Sequence, residues 1–185
     1  MNQFFHLSLF IAVLGAGCIS APAPEVVGEP IDSINGVTVY YSQDPEGLPP
    51  EQADLAQHYS SLEFVKRYYA EVLGVTLPDS LRSAAAFFDP NIPDGEVNPA
   101  TGLQQFTKPS MAPPRKNDIV VFSDATYDPG GHLAIVADVS AKEVVIVQQN
   151  PGPLAKAREP LRYYLRRKKW YVQHPHVVGW LHLGE

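Results

Sequence analysis

Residues 58–69, HYSSLEFVKRYY, constrain the fold more than any other stretch, because they read as the buried start of a helix with two serines at its mouth. Leu62, Val65, Tyr69 and Val72 recur at three- and four-residue steps, and Phe64 and Tyr68 widen that stripe. Lys66, Arg67 and Glu71 take the other side, so the helix is expected to face a core. Ser60 followed by Glu63 forms a capping-box pattern, with the Ser60 hydroxyl on the amide of residue 63 and the Glu63 carboxylate reaching back. Gly74 supplies the stop. Ser61 is then the first helical residue, where unpaired amides and the positive end of the helix dipole favour an anion or an oxyanion. Serines are common at helix starts for capping alone, so Ser61 becomes a candidate only in the company of partner groups elsewhere in the chain.

The C-terminal part switches to strand patterns. Asp118 to Ser123, His132 to Val139 and Glu143 to Gln149 read as successive strands, the last two joined by a tight turn at Ser140–Lys142, and Val177 to Leu183 closes the series. Gly36 to Tyr41, GVTVYY, reads as the first strand, with a short helix from Glu51 to His58 ahead of the central one and another short helical signal over Leu81 to Phe88. Residues 89–116, rich in Pro, Asn, Gly and Asp, are expected to form a long loop of functional or lid-like character. The order implies an α+β domain, helices on one side of a largely antiparallel sheet, over residues 36–185.

Ahead of it, residues 1–18 carry no charged side chain, and the apolar run from Phe4 to Leu14 suits a signal-peptide core better than a membrane span. Cys18, the only cysteine, follows Leu14-Gly15-Ala16-Gly17 as in a bacterial lipobox, which would make it an acylated mature N-terminus; Ala21-Pro22-Ala23 offers ordinary signal cleavage instead. Residues 19–35 hold three prolines and read as a tether. The chain is therefore expected to be exported to the cell envelope, either lipid-anchored or periplasmic or secreted after cleavage.

The formal charge of −6 opposes a nucleic-acid partner, yet half of the 14 basic residues lie between Lys156 and Lys169. The run RYYLRRKKW invites base stacking, although a solvated strand face, or contact with anionic lipid headgroups or wall polymers, fits an exported protein better. His174-Pro175-His176 sets two imidazoles close together without a third ligand nearby, and Asp124 and Asp128 fit a solvated turn better than a calcium loop. No metal or cofactor is expected.

SSLEFVKRYY, then NDIVVF at 117–122, GHLAIV at 131–136, VVIVQQN at 144–150 and GWL at 179–181 resemble, in order and spacing, the CHAP domain, a papain-like family of cell-wall amidases and peptidases. The resemblance spans residues 36 to 183 and implies a papain-like fold with the central helix packed on the sheet. In that family the helix motif looks like QCVEFVNRYY with a nucleophilic cysteine, GH supplies the general base, and EQN supplies the base's partner. By position these roles fall on Ser61, His132 and Gln148. Asn117 stands where the family has a turn glycine, and both residues tolerate a positive φ.

Two of the three roles thus depart from the family pattern. A cysteine at a helix start becomes a thiolate easily, whereas a serine must lose its proton to the base during attack. That base benefits from a carboxylate partner, and an acid-to-amide change in a serine triad loses about four orders of magnitude in rate. The expectation is a degenerate amidase that binds peptidoglycan peptides or an envelope protein partner. The alternative is an active peptidoglycan amidase or endopeptidase with Ser61 as nucleophile and His132 as base, or a hydrolase of a small amide or ester.

Overall fold

The computed structural model describes residues 26–43, 46–123, 130–152 and 156–184. The leader, Cys18, Asp124 and Asp128 lie outside the described residues. The chain begins with a hairpin of β1 (Pro30–Ile34) and β2 (Val37–Tyr40), closed by Asn35 and Gly36, both at positive φ as a two-residue turn of this kind requires. Strand β1 therefore lies inside the segment expected as tether. Helices α1 (Pro50–His58) and α2 (Ser61–Leu73) follow, then a single 3-10 turn at Ala84–Phe87. The remaining strands are β3 (Gln104–Thr107), β4 (Ile119–Phe122), β5 (His132–Val139), β6 (Glu143–Val147), β7 (Arg158–Arg166), β8 (Lys169–Val172) and β9 (Val177–His182).

These seven strands form one antiparallel sheet in the order β3-β9-β4-β5-β6-β7-β8. The sheet curls into a half-barrel whose edges approach each other, since Trp170 on β8 exchanges backbone hydrogen bonds of 3.1 and 2.7 Å with Ser110, which lies just past β3. The expected α+β papain-like fold with a central helix is thereby corrected. Two short helices are the only α-helices among the described residues, and the sheet encloses a core of its own.

Burial explains the difference. Ile119, Val121, Leu133, Ile135 and Leu181 face α2 and its Phe64, Val65, Tyr68 and Tyr69, all four of which are fully buried. The alternate residues Val120, Phe122, Ala134, Val136 and Trp180 turn into the curl, where they meet Leu161, Tyr163 and Val172 from β7 and β8 with no helical residue among them. A strand buried on both faces reads as a continuous apolar run, as IVVF and HLAIV do. Helix α2 is thus one wall of the molecule, not its centre.

Locally, α2 obeys its sequence signals. The Ser60 hydroxyl accepts from the Glu63 amide at 3.2 Å, and Gly74 ends the helix at φ 66°. The Glu63 carboxylate does not reach back to Ser60; it holds Arg67 Nε at 2.6 Å, and the Arg67 guanidinium lies over Tyr40 and Phe64. Asn117, at φ 73°, is more than a tolerated substitute for glycine: its side-chain oxygen accepts from the Tyr68 hydroxyl at 2.7 Å and its carbonyl from Tyr69 at 3.0 Å. Segment 89–116 is no lid. It contributes β3 and is pinned by buried Asn98, which donates to the Phe87 carbonyl and to Gln105 Oε1. Among the described residues no helix is long and apolar enough to cross a membrane.

Candidate functional site

Three elements bring the candidate residues together. Ser61 opens α2, His132 opens β5, and Gln148 comes directly after the last residue of β6. All three are buried. The Ser61 hydroxyl accepts from the Leu133 amide at a long 3.4 Å, which sets it against the peptide joining His132 to Leu133. Gly131 delivers that peptide: it sits at φ 77°, and a Cβ there would lie 2.8 Å from the Phe122 carbonyl oxygen, so no other residue fits this turn without moving β4.

The His132 ring is oriented by Gln148, with Nε2 3.0 Å from Gln148 Oε1. The amide cannot be turned round, because its nitrogen donates to the Lys156 carbonyl at 2.9 Å and to Glu159 Oε2 at 3.4 Å. Its oxygen therefore accepts, His132 carries its proton on Nε2, and Nδ1 is the basic nitrogen of the neutral ring. The base has a fixed tautomer and a neutral partner, with the Glu159 carboxylate one residue further back. Glu159 carries no motif signal; it reaches the site only through the β6–β7 pairing that sets it opposite Ile146.

Gln149 is a second residue to which sequence reasoning assigns no role. It is fully buried and ties the site's elements together: Oε1 accepts from the Tyr40 amide at 2.9 Å, and Nε2 donates to the Ser60 carbonyl at 3.2 Å and to Glu63 Oε2 at 3.0 Å. The start of α2 is thereby fixed to β2 and to the end of β6. His58, three residues before Ser61, is exposed, and Trp180 of the GWL motif is fully buried in the curl.

His174 and His176 lie beside the site, their rings 5.8 Å apart, with Phe122 edge-on to both His132 and His174. Among the described residues no three His, Cys, Asp or Glu side chains are grouped to hold a metal ion. Burial lowers the pKa of His174, and the neighbouring His176, Lys108 and His132 lower it further. The folded value then lies below the unfolded value of about 6.5, so the unfolded chain takes up protons first as the pH falls. The stability contributed by neutral His174 is complete above that range and is lost on acidification. The melting temperature is expected to fall by a few degrees between about pH 7.5 and 5, and to fall less in His174→Gln, as read by thermal unfolding across pH.

A cavity of about 240 Å³ lies at the opposite end of β4 from His132, lined by Arg115, Lys116, Asp118 and His182 among others. Asp118 Oδ1 lies 2.6 Å from His182 Nδ1, and burial raises the Asp118 pKa against the opposing pull of His182. This pair closes the end of the sheet and takes no part in the Ser61 site. No family model matches the chain, and no curated protein matches it.

Proposed function

We propose that the chain is an envelope protein whose Ser61–His132–Gln148 site binds the peptide part of peptidoglycan without hydrolysing it at an enzymatic rate, a degenerate counterpart of the CHAP amidases its motifs resemble. The observation that carries this reading is the Gln148 amide, locked with its oxygen on His132 by the Lys156 carbonyl. It orients the ring but supplies no charge to stabilise an imidazolium, and a serine nucleophile depends on that stabilisation more than a thiolate does. The burial of Ser61 under the Leu133 amide fits a hydroxyl used for shape and hydrogen bonding.

One feature favours a second reading, an active serine amidase: Glu159 stands behind the amide and could polarise it toward the ring. A fluorophosphonate probe separates the two. The binding reading predicts no labelling of Ser61, together with retention of the protein on purified peptidoglycan that His132→Ala weakens. Labelling abolished by Ser61→Ala would establish the hydrolase instead.

A further inference from the structure

We propose that the tip of the β7–β8 hairpin is a docking surface for an anionic lipid membrane. Arg166, Arg167, Lys168 and Lys169 are consecutive and exposed, and among the described residues none makes an ion pair. Arg162, further down β7, is set opposite Glu143 and is left out of the patch. The turn itself is a two-residue connection with Arg167 at φ 50° and Lys168 at φ 63°. That geometry favours Asn-Gly, the pair used where Asn35-Gly36 closes β1–β2. Here two long cations occupy it against their steric preference.

The register completes an amphipathic tip. Leu165 pairs with Trp170 on the face that continues the core, and Arg166 pairs with Lys169 on the other face, beside the stacked Tyr164 and Tyr171. Leu165 is 56% exposed and Tyr164 44% exposed, although both lie next to cations. An exposed leucine flanked by aromatic rings and capped by four cations suits an interface in which the apolar group enters below the headgroups and the cations meet phosphate. A nucleic-acid strand would need cations spread along its path and would give Leu165 no role. These four cations sit together at one tip of a protein of net charge −6.

The test uses the full chain, vesicles of phosphatidylglycerol and phosphatidylcholine in equal parts, and quenching of Trp170 by brominated lipid. Trp180 is fully buried and serves as an unquenched background. Quenching at the hairpin distinguishes tip docking from any attachment through the N-terminal segment. The decisive variant combines Arg166→Gln, Arg167→Asn, Lys168→Gly and Lys169→Gln, which removes the charge while installing the preferred turn. It is expected to melt no lower than the parent and to lose Trp170 quenching, with partitioning reduced roughly fivefold per cation. Leu165→Gln should keep salt-sensitive binding with shallower quenching. Equal quenching in the four-residue variant, equal binding of the parent to pure phosphatidylcholine, or displacement from vesicles by a single-stranded oligonucleotide at the same ionic strength would each overturn the proposal, the last by assigning the tip to nucleic acid.

Discussion

Gly179→Ala is expected to destabilise the protein by about 3 kcal/mol or more and to lower its melting temperature by about 6–12 °C. The strand β9 lies between β3 and β4, and Gly179 pairs with Thr107 on one side and Val121 on the other. A Cβ at this position would lie 2.2 Å from the Phe106 carbonyl oxygen and 2.6 Å from the Phe88 ring. The first obstacle is backbone, held in the sheet by its own ladder, so it has no rotamer to escape into. Relief requires β3 to separate from β9, which opens the curl at the end of the sheet where Phe106 covers the inner core. Thermal unfolding measured by circular dichroism checks this, and Gly184→Ala, whose Cβ would meet open space, is the neutral control.

Gln149→Ala is expected to cost about 3–5 kcal/mol, read as a lower urea midpoint. The glutamine fills a fully buried site, satisfies the Tyr40 amide and adds a second bond to the Ser60 carbonyl, which also accepts from the Phe64 amide, and the Tyr40 amide gains no replacement when the side chain is truncated. Unmade hydrogen bonds of buried groups cost more than made ones contribute, and the cavity adds to the loss. The damage should be local first. With the Ser60 carbonyl left only the Phe64 amide and the Glu63 carboxylate only Arg67, the first turn of α2 is held less firmly, and amide exchange at Glu63 and Phe64 should accelerate before that of β4 or β5.

What can be read from the residues alone depends on the range of the interactions. Helix α2 is legible because its caps, Ser60 and Gly74, and its apolar stripe are all written within one short stretch. Strand β5 is legible over its full length, and Ser61, His132 and Gln148 are each buried. The architecture departs from expectation for an identifiable reason. IVVF and HLAIV fit one-sided strands under a helix layer only if their unbroken apolar character is ignored, and that character signals burial on both faces. The prolines before Asn35-Gly36 suggest a tether and mask the hairpin, although that dipeptide between Ile34 and Val37 is a strong turn mark. Glu159 and Gln149 are not legible, since their roles exist only after β6 pairs with β7 and α2 docks on β2 and β5.

The locked amide also changes which variant is informative. A charged partner for His132 would need Gln148→Glu, but that would aim a carboxylate oxygen at the Lys156 carbonyl and beside Glu159 Oε2, trading two donated hydrogen bonds for repulsion. A thiolate needs less from the histidine's partner, and cysteine, histidine and a neutral amide suffice in papain-like proteases. Ser61→Cys alone places a thiol at the N-terminus of α2 with His132 already held in one tautomer.

The most direct measurement is therefore release of new amines from purified peptidoglycan by the parent, Ser61→Cys, and Ser61→Cys with His132→Ala. A site that retains its binding geometry but has lost its chemistry gives no release from the parent, measurable release from Ser61→Cys, and none from the double variant. Turnover by the parent that Ser61→Ala abolishes would contradict it, as would a Ser61→Cys protein that neither binds nor cleaves the polymer.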